Sequence, residues 1–191
     1  MKNIVENIPK SLIYEMVDGK PIYYKGYREF LLGENKSGEP MGSSLLQSMI
    51  ITRLVILLYK HLEQDYYILT NELGLQFSKG NWRAADIAIY KKNQIEPDKI
   101  TNKYTKIPPK IVIEIDTKAE IEEVKDTFTY YNLKTDQLLE FGVEKVIWIF
   151  TDSQKVMLAT KDKNLEFLSC DKQIYVLENL QINLEEIAKI S

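Results

Sequence analysis

Two carboxylates lie where a folded chain tolerates them least. Asp86 sits in RAADIAIY and Glu114 in KIVIEID, runs of alanine and β-branched residues that read as buried strands. An ionised acid in such a strand is costly unless it is paired or binds a cation. A fold that buries both runs must bring compensating charge to both acids, and this requirement governs the reading of the rest of the chain.

The flanking sequence reads as a mixed α/β domain. SLIYEMVDGKPIYYKG alternates around Asp18-Gly19, a dipeptide that accepts positive φ, which predicts a β-hairpin from Leu12–Val17 and Pro21–Tyr24. Residues 33–44 form a Gly- and Ser-rich loop. From Ser44, Leu45, Leu46, Met49, Ile50, Leu54, Leu57, Leu58 and Leu62 recur at helical spacing. Short strands are expected at Tyr66–Thr70 and Leu75–Phe77, a turn at Lys79-Gly80-Asn81, and strands at Ala84–Tyr90 and Ile111–Ile115. Ile121–Phe141 has no Pro or Gly and stops at Gly142, a pattern for a helix closed by a left-handed cap. A strand at Lys145–Phe150, a hairpin around Asp152-Ser153, a strand near Ile174–Leu177 and a helix over Leu184–Ile190 complete the order. No internal repeat or low-complexity segment is visible.

Composition limits the alternatives. With 191 residues and 45% hydrophobic content, the chain is expected to form one domain over 1–191, with a core at about 44–151, the hairpin at about 12–25 and C-terminal strands and helix at about 154–190. The net charge of −3 supplies no global attraction to polyanions. One cysteine, Cys170, and one histidine, His61, exclude an internal disulfide and a Cys/His zinc site, and fit a reducing cytoplasm. His61 reads as structural. Glu6, Pro9 and Lys10 interrupt any signal-peptide core, and the apolar run Leu54–Tyr59 is far short of the ~20 residues of a membrane span. A cytoplasmic protein is the expectation.

The order helix, strand, strand with Asp86, strand with Glu114, helix, strand is the αβββαβ arrangement of restriction-endonuclease-like folds: an α/β (α+β) core with a mixed sheet flanked by helices, here carrying an N-terminal hairpin. YEMVDGKPI, AADIAIY, IVIEIDTKAE and KTDQLLEFGVEKVIWIF, spanning about Tyr14 to Thr151, resemble the Uma-two family of bacterial restriction-type endonucleases in the PD-(D/E)XK superfamily. The last motif, with Lys134 eight residues before Gly142-Val143, is the most specific. The resemblance implies a nuclease that hydrolyses phosphodiester bonds, with DNA as the expected substrate. Asp86, Glu114 and the Ile115 carbonyl would hold Mg²⁺ (or Mn²⁺), and Lys134 would stabilise the transition state. These are hard oxygen ligands of the kind Mg²⁺ prefers. A homodimer would suit cleavage of two strands. The alternatives are a catalytically silent nucleic-acid-binding or interaction module of the same fold, and a phosphodiesterase acting on another substrate.

The sequence departs from the superfamily pattern at the lysine, which is expected two residues after the glutamate, where Asp116 stands. Lys134 shares a helical stripe with Tyr130 and Gln137 and can point back at the strand ends; Lys118, in the following loop, is its rival. Ala85 replaces the proline of the PD dipeptide, and DTK follows the glutamate in place of Ser-Pro. Glu15 and Gln47 are further candidates: one matches a recurrent family acid, and the other starts the first helix. Between Lys91 and Lys110 six lysines stand against Glu96 and Asp98, with Tyr104 among them, a loop that could follow a phosphate backbone. The acidic stretch Glu120–Asp126 would face away from such a backbone or limit its approach. Trp148 reads as core, and Trp82 as packed on a helix or turned to a substrate.

Overall fold

Ile111, Ile113 and Ile115 face one side of their strand and Val112 and Glu114 the other, and this alternation divides the core in two. The computed structural model describes residues 8–34, 42–116, 119–120, 126–162, 165–177 and 179–188. Its elements run β1 (Ile13–Val17), β2 (Lys20–Tyr23), α1 (Tyr27–Leu32), α2 (Leu45–Leu62), β3 (Tyr66–Ser78), β4 (Asn81–Lys91), β5 (Ile111–Ile115), α3 (Thr127–Phe141), β6 (Lys145–Phe150), β7 (Lys155–Thr160), β8 (Leu165–Ser169), β9 (Gln173–Leu177), β10 (Leu180–Asn183) and α4 (Leu184–Ala188). The expected αβββαβ core is α2-β3-β4-β5-α3-β6. The main sheet has the order β2-β1-β4-β5-β6-β7-β8, with β3 also paired to β4, and β9 and β10 form a second, two-stranded sheet. Among the described strands only β5 and β6, joined through α3, pair in parallel.

The two helices seal opposite faces. Ile50, Leu54 and Leu58 of α2 pack with Ile87, Ile89 and the β5 isoleucines. Tyr130 and Leu138 of α3 pack with Ala88, Val112, Val146 and Trp148. Ser44 caps α2 by accepting from Gln47 N (3.1 Å), and Asp126 caps α3 by accepting from Thr129 N (2.9 Å). Gly142, at φ +120°, closes α3 as expected. The β1–β2 turn also follows expectation, with Asp18 and Gly19 both at positive φ.

Other boundaries differ from the sequence reading. Residues 66–78 form one strand where two were expected; Asn71 and Glu72, both at positive φ, make a bulge that shifts the register from Thr70↔Ile87 to Leu73↔Ala85 without ending the strand. α3 starts at Thr127 behind its Asp126 cap rather than at Ile121, while residues 121–125 lie outside the described residues, as do 35–41 of the loop and 189–190 of the last helix. α1, β8 and β10 were not anticipated, being short elements whose local pattern is weak.

The lysine-rich connection is pinned at its middle. Thr105 pairs with the outer edge of β3 (Thr105 N to Gly74 O, 3.0 Å; Gln76 N to Thr105 O, 2.8 Å), and the Tyr104 ring lies over Gly74 and against Trp82. Trp82 therefore packs on this loop and not on a helix. A Cβ at Gly74 would collide with the Tyr104 ring. Gly74→Ala is expected to lower stability by ~1–3 kcal/mol in urea denaturation, and to do so much less in a Tyr104→Ala background. Equal losses in both backgrounds would contradict this contact.

Candidate active site

The helix carrying Lys134 turns its side chain back into the sheet. Its ammonium is fully buried, 2.9 Å from Glu15 Oε1 and 3.0 Å from Glu114 Oε2, and stands over the rings of Tyr14 and Trp148 at 5.6 and 5.4 Å from their centroids. Glu15 is the hub of the cluster. Its Oε2 accepts from Arg83 Nη1 (2.7 Å) and the Tyr130 hydroxyl (2.8 Å), and its Oε1 accepts from Ala84 N (3.1 Å). Arg83 Nε in turn donates to Gln137 Oε1 (2.9 Å).

A fork in the sheet makes room for these groups. One edge of β4 pairs with β3 along its length. The other meets β1 at Trp82 and β5 only from Ile87 onward. Between these contacts side chains complete the hydrogen bonding: Glu15 takes the Ala84 N–H, and Asp86 Oδ2 takes the N–H of Ile115 (2.8 Å), the residue after Glu114. Gln47, at the start of α2, donates its amide to the Ile115 carbonyl (2.7 Å) and lies 3.5 Å from Asp86 Oδ2. Asp116, two residues after Glu114, has φ +53° and accepts from Thr151 N (2.8 Å) and Oγ1 (2.7 Å). That acid ties β5 to the end of β6.

Burial and charge set the protonation states. Burial is the largest influence on Glu15 and would raise its pKa, yet Lys134 and Arg83, with hydrogen bonds from Lys134 and Tyr130, together hold it below the usual carboxylate range. Burial dominates at Glu114 and, with Asp86 and Glu15 nearby, pushes it up to about 8 despite Lys134. Burial disfavours the Lys134 ammonium, but Glu114 and Glu15 outweigh it and keep the lysine charged.

The donor chemistry fits a hard divalent cation. Glu15, Asp86 and Glu114 face Arg83 and Lys134, three carboxylates against two cations, so full ionisation leaves one negative charge in excess. Glu114 Oε1 is buried without a hydrogen-bond partner, a condition that costs ~1–3 kcal/mol in a fold that offers nothing else. Among the described residues no group of three or more His, Cys, Asp or Glu side chains gathers around a possible metal position. The oxygen donors gathered at the fork are the carboxylates of Asp86 and Glu114 and the carbonyl of Ile115, which accepts from Gln47.

Most of the residues singled out from the sequence meet here: Glu15, Gln47, Asp86, Glu114, Ile115, Lys134 and Gln137 form one connected set. Lys118 lies outside the described residues. The lysines of the 91–110 connection do not join the set. Lys91 ends β4, five residues beyond Asp86, Lys110 precedes β5 at the end away from Glu114, and Lys110 pairs with Glu144. Arg83 and Tyr130 were missed as site residues. Arg83 had a readable signal, since a guanidinium beside two alanines in a buried strand raises the same question as Asp86.

The raised Glu114 pKa has a definite sign in folding. The folded chain keeps this proton up to about pH 8, whereas the unfolded carboxyl releases it near 4.5, so the folded state binds more protons in that interval and stability falls as pH rises through it. Glu15, held low, acts only below that window. In a chelator, urea denaturation at pH 5 to 9 is expected to show a decline of ~1–3 kcal/mol that Glu114→Gln largely removes. An unchanged slope in that variant would contradict the assignment.

Comparison with known proteins agrees with this architecture. The Uma2 family model, described as "Putative restriction endonuclease", matches residues 33–187. No curated protein matches. Among solved structures, the chain superposes with a TM-score of 0.70 on a protein from Anabaena variabilis described as a "putative nuclease belonging to DUF820", at 18% identity, covering 95% of this chain and 93% of that one. That likeness bears on the fold alone, whereas the family match spans most of the sequence. The chain belongs to the Uma2 family of restriction-endonuclease-like proteins.

Proposed function

We propose that this chain is a metal-dependent nuclease that hydrolyses phosphodiester bonds in DNA. The observation that carries this reading is the contact of Lys134 with Glu114 at the sheet fork beside Asp86. Asp86, Glu114 and the Ile115 carbonyl would hold Mg²⁺ or Mn²⁺, with Gln47 yielding or sharing that carbonyl. When bound, such an ion polarises a phosphate and acidifies a coordinated water.

The chain's own residues do the rest. The Lys134 ammonium offers positive charge to a phosphate that gains negative charge during attack. Glu15, itself fixed by Arg83, Tyr130 and the Ala84 amide, keeps that ammonium in one place, so it is a positioning residue. Asp86 is 4% and Glu114 1% exposed, so substrate entry requires groups above Asp86 to part. This closure is also what favours the rival reading, a silent binding module of the same fold. Cleavage of both strands would call for two such sites, as a homodimer provides, and a cytoplasmic setting suits the cysteine count.

Incubation with plasmid DNA, single strands and RNA in Mg²⁺ or Mn²⁺ separates the readings. Cleavage of DNA is expected, with Asp86→Asn and Lys134→Met each lowering the rate at least ~100-fold and His61→Ala leaving it unchanged. Cleavage that survives both site variants would come from elsewhere. No cleavage under any condition would favour the silent module.

A further inference from the structure

β4 ends where β5 and β6 begin. β4 runs against β5 and β6 runs with it, so Lys91 at the end of β4, Lys110 ahead of β5 and Lys145 at the start of β6 meet at one end of the sheet. All three line a single cleft of about 530 Å³, in which Glu144 is the one lining acid among the described residues. Two of these lysines bound the connection that the candidate active site leaves unused. Lys145 is the fixed cation of the cleft. It is partly buried, and two of the three donors of its ammonium go to the carbonyls of Tyr175 (2.9 Å) and Val176 (3.3 Å) in β9. Among the described residues no carboxylate pairs with it, since its neighbour Glu144 pairs with Lys110. Burial, and then the Lys110 charge, lower the Lys145 pKa, so the two ammoniums stand close enough to repel each other. An anion between them would be attracted from both sides.

We propose that this cleft binds a small organic phosphate monoester, with the phosphate held between Lys91, Lys110 and Lys145. Three lysines against one glutamate leave two positive charges among the described lining residues. That excess matches a monoester, which carries about −1.5 to −2 at neutral pH, better than the single charge of a diester. The cleft has the size of a small-molecule site and is larger than a bare phosphate needs. Tyr66 and Leu177 give it apolar surface for the rest of such a ligand. A chain of net charge −3 has no general attraction for anions, so the binding would be local to these lysines. The inference stands apart from the nuclease reading, because the cleft lies at the end of β5 away from Glu114 and calls for no metal.

The test is isothermal titration calorimetry of the full chain in a chelator, with AMP, glucose 6-phosphate and inorganic phosphate each to ~10 mM and adenosine as the uncharged control. At least one of the two esters is expected to bind once per chain, and adenosine not to bind. Lys145→Gln should weaken that binding at least ~10-fold. Lys91→Gln, at an exposed position where the fold is not at stake, should weaken it at least ~3-fold, and Asp86→Asn should leave it unchanged. Binding of neither ester, or of inorganic phosphate alone, would overturn the proposal. So would ester binding that both lysine variants leave intact, or that Asp86→Asn abolishes, since the ligand would then sit elsewhere. Tighter binding of a short DNA duplex without terminal phosphates, lost in Lys145→Gln, would also overturn it, because the cleft would then serve a phosphodiester backbone.

Discussion

The contact of Lys134 with Glu15 and Glu114 is the constraint around which the other parts of the site are arranged. A fully buried ammonium is tolerable only beside carboxylates, and two buried carboxylates are tolerable only beside cations. α3 must therefore lie so that Lys134, about two turns before its C-cap, reaches the sheet, and β1 must bring Glu15 to the fork where β5 leaves the edge of β4. Removing Lys134 or Glu15 would strand a charge in the core, a loss of the order of 3–5 kcal/mol. The same economy of charge leaves Glu114 with a proton at neutral pH and one oxygen without a hydrogen-bond partner, and the proposed metal would take the place of that proton.

Much of this arrangement was legible in the sequence because burial makes polar residues conspicuous. Asp86 and Glu114 stood out against Ala and Ile neighbours, and the replacement of the strand lysine by Asp116 directed attention to α3, where the lysine does reach the acids. The helix caps and the Asp18-Gly19 turn were equally readable, since each rests on a local conformational preference.

What was not legible depends on contacts distant in sequence. Glu15 was a candidate through the family resemblance alone, and its place at the centre of the cluster follows only when β1 is set against Ala84, 69 residues away. The bulge at Asn71-Glu72 carries no glycine to announce a positive φ, so one strand looked like two. The lysine cluster between Lys91 and Lys110 looked close to the acids in sequence, yet strand direction sends its ends to the far side of the sheet. Leu45 and Leu46, exposed in the structure, were counted in the same helical periodicity as the buried Ile50, Leu54 and Leu58, because periodicity marks apolar residues without saying which of them another element covers.

Binding of Mn²⁺ by isothermal titration calorimetry at pH 7, in two buffers of different ionisation enthalpy, tests the central claim most directly. The account predicts one site per chain whose occupation releases close to one proton, lost in Asp86→Asn and without proton release in Glu114→Gln. Absence of binding, or binding with the same stoichiometry and proton release in both variants, would contradict it.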